Sequence, residues 1–176
     1  MDIAEEFPGV ADSKQLTAGM RETIYALVEM RARRGDIRFA ARFASAKYID
    51  RHGIARAVER ATLSGLKRLE ATHRDSHVML DGLLKAPRHY SQETIIRGDS
   101  LVPVISLASI VAKVRRDRLM RRMAAQYPHW DFAQHKGYPT PDHYAAIEEW
   151  GLSKIHRRSF CKSIRENSFD NIGTQA

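Results

Sequence analysis

Two aspartates stand where acids do chemistry. Asp81 follows the apolar run Val78-Met79-Leu80 and precedes Gly82. An acid at the point where a buried strand leaves a sheet lies where open α/β sheets gather ligands and catalytic groups. Gly82 lets the backbone turn there and lets a substrate come close. Asp-Gly is also a strong turn dipeptide in its own right. Asp117 is the one acid in Lys113-Val114-Arg115-Arg116-Asp117-Arg118. The spacing of four puts Lys113, Asp117 and Arg121 on one helix face, with Ser109 a further turn up. Such a face is ordinarily a solvated, salt-bridged surface. In the sharper reading, Asp117 points at a hard divalent cation while Lys113 and Ser109 contact phosphate oxygens. Such a cation takes oxygen ligands and often only a few carboxylates plus substrate phosphate.

The segment His135-Lys136-Gly137-Tyr138-Pro139-Thr140 combines a base, a glycine and an aromatic ring. Lys136 can contact phosphate and Tyr138 can stack on a sugar or base. An ordinary loop with a tyrosine over the core has the same composition. His156-Arg157-Arg158-Ser159-Phe160 adds phosphate donors, or simply charge for solubility. No G-x-x-x-x-G-K or G-x-G-x-x-G motif is present, which argues against nucleotide-hydrolysing and dinucleotide chemistry. The eight histidines show no H-E-x-x-H spacing, and only His73 and His77 stand four apart. The single cysteine, Cys161, excludes an intramolecular disulfide and a Cys-only zinc site, and reads as a half-buried structural thiol.

The elements needed to position these residues alternate between helix and strand. Thr17 can cap a helix through Ile24, Leu27, Val28 and Ala32, which Gly35-Asp36 breaks. The alternation in Ile37 to Ser45 predicts a strand. A helix is expected from about Ile54 to Leu69, and a short strand at Val78–Gly82. Glu93-Thr94-Ile95-Ile96-Arg97-Gly98-Asp99 looks like a second such strand. Ile105 to Tyr127 carries the longest helical pattern. Pro141 opens a last helix that ends near Gly151. The class is therefore α/β.

The length of 176 residues fits one domain, and 43% hydrophobic residues suffice for a core. No apolar run reaches the roughly 20 residues that span a bilayer. The acidic start, Met1 to Glu6, does not resemble a signal peptide. The chain is thus expected to be cytoplasmic, with no membrane partner. Lys and Arg number 29 against 21 Asp and Glu, a net charge of +8, which fits a nucleic-acid partner. The positive charge clusters around Arg31–Arg42, Lys113–Arg122 and Lys154–Arg165.

Taken in order, several segments resemble bacterial ribonuclease HII, the type 2 ribonuclease H. They are Asp12-Ser13-Lys14-Gln15-Leu16-Thr17, Leu80-Asp81-Gly82, Gly98-Asp99-Ser100 and Ile105–Val114 with Arg116-Asp117. Phe132–Thr140 and His156–Phe160 complete the set. The resemblance runs from about Gly9 to about Lys162. It implies a ribonuclease H-like α/β fold lacking its first strands, with a C-terminal helical segment. Residues 1–167 are expected to form that domain and 168–176 a frayed tail.

The resemblance also implies an endoribonuclease that cuts the RNA strand of RNA–DNA hybrids and ribonucleotides embedded in duplex DNA. Four carboxylates of the family hold Mg²⁺ or Mn²⁺. Asp81 and Asp117 match the third and fourth. Tyr138 matches the tyrosine that senses the junction. Lys14, Ser109 and Lys113 match phosphate-contacting positions, and Lys136 and Arg157 are expected to bind the substrate as well. The first two carboxylates belong to an Asp-Glu-x-Gly-Arg-Gly motif on the family's first strand. That motif is absent from these 176 residues. Glu5-Glu6 is followed by Phe7-Pro8 and does not replace it. The chain is expected to be N-terminally shortened and monomeric. The alternative is a module that binds the hybrid duplex without chemistry.

Overall fold

The computed structural model describes residues 3–7, 9–10 and 15–161. Lys14 and the tail 168–176 lie outside the described residues. In order, the elements are α1 (Ile3–Glu6), α2 (Ala18–Arg34), α3 (Ala46–His52) and α4 (Ile54–Arg68). Then come β1 (His77–Asp81), β2 (Ser91–Ile95), α5 (Gly98–Leu101), α6 (Pro103–Gln126), α7 (Phe132–His135) and α8 (Pro141–Trp150). Two compact units result. The first comprises Met1–Phe43 and Val58–Arg116, the second Ala44–Ala57 and Asp117–Ala176.

The helix ends follow local chemistry. The Thr17 hydroxyl accepts from the Met20 N–H at 3.2 Å and starts α2. At the other end Gly35 takes φ 85°, so its own N–H and that of Asp36 reach back to Ala32 and Arg31 carbonyls. That closes the helix with a left-handed residue for which glycine carries no Cβ penalty. Thr140 caps α8 in the same way, accepting from His143 N–H at 3.3 Å.

The first unit is built on α2 and α6. Ile24, Tyr25 and Val28 of α2 meet Leu107, Ile110, Val111 and Val114 of α6, with Phe7, Val10 and Leu16 closing the cluster. Both sets recur at three- and four-residue steps, the signature of one apolar face per helix. Ile110 is only 1% exposed, and burying such a side chain is worth about 1.5–3 kcal/mol. The Arg115 guanidinium donates to the Tyr25 hydroxyl at 3.3 Å. Glu6 of α1 pairs with Arg31 of α2.

β1 and β2 form a parallel pair in the register His77↔Ser91 to Asp81↔Ile95. Only residues 82–90 connect them, too few for the usual crossover helix. Gln92 does part of that helix's work. Its side chain accepts from Ala86 N–H at 3.0 Å and donates to the carbonyls of Ala86 and Pro87 at 3.1 and 3.3 Å. Three backbone groups of the connection are thereby satisfied without a ladder.

The expectation of a strand over Ile37 to Ser45 is corrected. That stretch makes no ladder, and Ser45 instead caps α3 by accepting from Tyr48 N–H at 3.2 Å. Ile37, Phe39 and Ala41 still turn inward against the first unit's core, and Phe39 meets Tyr25 edge-on at 5.9 Å. The alternation is real, but alternation reports only which side faces the core. A strand also needs a neighbour to pair with, and the described sheet has two strands in the order β1-β2. Gly98-Asp99 likewise opens α5 and does not extend β2.

In the second unit, α3 meets the turn Arg158–Phe160. The Asp50 carboxylate accepts from the N–H groups of Arg158 and Ser159 at 2.9 Å each and from the Ser159 hydroxyl at 2.6 Å. Burial opposes the charge of Asp50. The Ser159 hydroxyl, the two backbone N–H groups and the Arg158 guanidinium outweigh it and hold the carboxyl below its usual range. Trp130 anchors the segment after α6 to the end of α8 by donating to the Gly151 carbonyl at 2.9 Å.

Candidate metal centre and substrate contacts

Asp81 closes β1, and Gly82 at φ 62° turns the chain away while its N–H still bonds to Ile95 O at 2.9 Å. β2 ends beside it. Arg97 then adopts the left-handed region at φ 58° and delivers the chain into α5. Gly98 makes the close approach possible. A Cβ there would lie 2.7 Å from Ile105 Cδ1 and 3.4 Å from Ile95 Cβ. With hydrogen in that place, α5 seats against the end of β1, and Asp99 N comes within 3.5 Å of Asp81 Oδ1. The fully buried Ser106 hydroxyl donates to the Asp99 carbonyl, and Ser100 Oγ is 3.4 Å from Asp99 Oδ1.

The ends of two parallel strands therefore bring two half-buried aspartates together, Asp81 and Asp99. Such oxygen donors suit Mg²⁺ or Mn²⁺, and a hydrated Mg²⁺ commonly binds through one or two carboxylates. Among the described residues no group of three or more His, Cys, Asp or Glu side chains is gathered for a metal. The donors present fit a partly hydrated cation and not a closed protein cage. Asp99 is a candidate that the sequence reading did not name. Its signal was there: Ile95-Ile96-Arg97-Gly98-Asp99 ends as Val78–Gly82 does, with an acid and a glycine after an apolar run.

Asp117 lies on α6 and belongs to the second unit, 8% exposed. Ser109 is exposed, Lys113 half-buried and Arg121 exposed on the same helix. Steps of four residues drift around a 3.6-residue helix, so this row does not keep one environment.

Lys136 and Gly137 take φ 53° and 77° after α7. The Lys136 ammonium folds back on the carbonyls of Ala133 and, at 3.3 Å, Gln134, where a cation complements the end of a helix. Tyr138 is 43% exposed. The Arg157 guanidinium stacks over the Phe160 ring at 4.0 Å. Cys161 is half-buried.

Beneath this loop lies a group that the motif spacing did not reveal. His135, His143 and His156 are all buried, around Phe132. Burial first, then the His143 imidazole, pushes the His156 pKa down to about 4. Burial also lowers that of His143. Sequence spacings of eight and thirteen residues carry no zinc-site signature, so only the fold could assemble the three rings.

No helix among the described residues is long and apolar enough to cross a membrane. In comparison with known proteins, the "Ribonuclease HII" family profile matches residues 5–163. The ribonuclease HII of Ruminiclostridium cellulolyticum is 40% identical over 158 residues, 90% of this chain and 60% of that protein. Those of Syntrophus aciditrophicus and Nitrosospira multiformis are 37% and 40% identical over 166 residues, 94% of this chain and 76% and 80% of theirs. Among solved structures, the ribonuclease H2 of Pyrococcus horikoshii aligns with a TM-score of 0.65 at 24% identity, over 93% of this chain and 83% of that one. The ribonuclease HII in a complex with PCNA from Archaeoglobus fulgidus aligns with a TM-score of 0.68 at 22% identity, over the same shares. The two structures bear out the expected α/β fold class. The profile and the relatives carry the rest: this chain belongs to the ribonuclease HII family, a family of metal-dependent nucleases.

Proposed function

We propose that the chain supplies the nucleic-acid-binding surface and part of the metal site of an endoribonuclease. Its substrates are RNA–DNA hybrids and duplex DNA carrying a ribonucleotide. The observation that carries this reading is the approach of the Asp99 backbone N–H to the Asp81 carboxylate at the strand ends, in a chain of this family. A bound Mg²⁺ or Mn²⁺ would supply an activated water and stabilise the leaving oxygen. Asp81 and Asp99 would hold it. Asp117 enters as a ligand through the resemblance alone. Lys14, Ser109, Lys113, Lys136 and Arg157 bind phosphates, and Tyr138 meets the ribonucleotide. The 2′-hydroxyl is the group that separates RNA from DNA. The protein acts as a cytoplasmic monomer in this reading.

Two assays test it. Mn²⁺ titration followed by electron paramagnetic resonance should show a weak site in the wild-type chain. Asp81→Asn and Asp99→Asn should each weaken it by at least about tenfold, the scale of losing part of a metal's ligand set. Single-turnover cleavage of a duplex with one ribonucleotide should be negligible for the 176-residue chain. It should appear when a segment bearing Asp-Glu-x-Gly-Arg-Gly is joined upstream. In that longer protein Asp81→Asn, Asp99→Asn and Asp117→Asn should abolish cutting and leave duplex binding nearly unchanged. Metal-dependent cutting by the short chain that survives Asp81→Asn would refute the assignment.

A further inference from the structure

Two of the three buried imidazoles in the second unit are wired by hydrogen bonds that run one way. The Ser153 N–H donates to His156 Nδ1 at 2.9 Å, and the Ser153 hydroxyl lies 2.7 Å from the same nitrogen. A nitrogen that accepts from a backbone N–H carries no proton, so the His156 proton sits on Nε2. That nitrogen lies 3.0 Å from His143 Nε2. One proton fits between them, so His143 accepts there and holds its own proton on Nδ1. His143 Nδ1 is 2.9 Å from the Tyr138 carbonyl, which only accepts. Each group therefore dictates the tautomer of the next, from Ser153 to the Tyr138 peptide.

The two peptides that precede the Tyr138 carbonyl are gripped as well. Tyr138 N–H donates to the His135 carbonyl at 2.9 Å. Gly137 N–H donates to His135 Nδ1 at 3.0 Å, and His135 Nε2 donates to the Trp130 carbonyl. The His135 and His143 rings stack with centroids 4.1 Å apart, 19° from parallel. Exposed loops are seldom bonded this completely. The outcome is an exposed Tyr138 ring on a backbone fixed from beneath, which is how recognition groups are pre-organised.

We propose that Ser153, His156 and His143 form a relay of neutral imidazoles that fixes the Tyr138 backbone, making His143 and His156 positioning residues for ribonucleotide recognition. This rests on the reading above that Tyr138 meets the substrate. Neither histidine touches the nucleic acid. Their effect passes through Tyr138.

The test uses the full chain with two independent readouts. The first needs no substrate. Two-bond ¹⁵N–¹H correlation spectra of the imidazoles at neutral pH should show His156 as the Nε2–H tautomer and His143 as the Nδ1–H tautomer. His143 protonated on Nε2, or on both nitrogens, overturns the relay. The second is affinity, without divalent metal, for a DNA duplex with one ribonucleotide relative to the same duplex without it. His143→Leu should cut this preference by about tenfold, the scale of one displaced contact, with plain-duplex affinity unchanged. His143→Asn, whose amide nitrogen replaces Nδ1–H, should restore most of it. In a Tyr138→Ala background His143→Leu should change nothing further. Full preference in a folded His143→Leu chain, or an undiminished effect in the Tyr138→Ala background, overturns the positioning role. Where His143→Leu fails to fold by circular dichroism, His156→Leu carries the same comparison from the far end of the relay. A wild-type chain that shows the expected tautomers but no preference for the ribonucleotide overturns the recognition role of Tyr138, and with it the positioning role.

Discussion

Acidifying the solution from pH 8 to pH 5 should destabilise this protein through His156. The folded pKa is about 4 against 6.5 for a free imidazole. Between those values the unfolded chain binds a proton that the folded chain refuses, so stability falls as pH falls. The stabilisation is complete above the unfolded pKa, declines below about pH 6.5 and is gone below about pH 4. At roughly 1.4 kcal/mol per unit, the full span is worth about 3 kcal/mol, of which about 2 kcal/mol is lost by pH 5. The physical origin is burial first, and then the His143 imidazole opposite Nε2. A protonated His156 would set a proton against the N–H donor in a site 7% exposed. The assay is urea unfolding by circular dichroism at pH 8, 7, 6 and 5, for wild type and His156→Gln. Above pH 5 ordinary carboxylates stay ionised and contribute little to the slope. The variant will be less stable at pH 8, so the quantity read is the pH dependence and not the offset. A wild-type slope between pH 7 and pH 5 equal to that of His156→Gln would refute the reasoning.

Gly98→Ala should destabilise the first unit by about 1–3 kcal/mol, because the new methyl meets Ile105 Cδ1 at 2.7 Å. Mn²⁺ affinity should fall with it as α5 is pushed off β1. Equal denaturant midpoints for variant and wild type would contradict the packing argument. Asp50→Ala should cost about 1 kcal/mol, the scale of a partly exposed hydrogen-bonded carboxylate. It should also speed amide exchange at Arg158 and Ser159, whose N–H groups it now holds. Unchanged exchange at both would show that the turn is held by something else. Binding to a hybrid duplex should weaken steeply with salt, and Lys113→Ala should reduce the slope of log affinity against log salt by about 0.7–0.9. An affinity indifferent to salt would remove the phosphate assignment.

What the sequence disclosed depended on whether a signal was local. Caps are local, so Thr17, Gly35 and Pro141 place helix ends that the structure reproduces nearly to the residue. Helical periodicity is local too, and α6 runs from Pro103 to Gln126 where Ile105 to Tyr127 was expected. Strand formation is not local. Val78-Met79-Leu80 reads as a buried strand, yet Met79 is 36% exposed, because a strand's burial is supplied by layers on both of its faces. Residues 37–43 keep their alternation without a ladder for the same reason. The site divides likewise. Asp81 was legible because its apolar run and its glycine are adjacent to it. Asp99 carries the same local signal, but its approach to a residue 18 positions earlier depends on Gly98 and shows only in the fold. The histidines were harder still. His143 and His156 are 13 residues apart on α8 and the loop that follows, and their chemistry depends on which ring nitrogen carries a proton. A spacing rule for metal ligands searches for lone pairs that converge on a cation. Here the Nε2 of His143 converges on the Nε2 proton of His156 and is satisfied by it. The same side chains that would signal zinc at other spacings thus act as a neutral brace, and only a hydrogen-bond pattern in three dimensions separates the two uses.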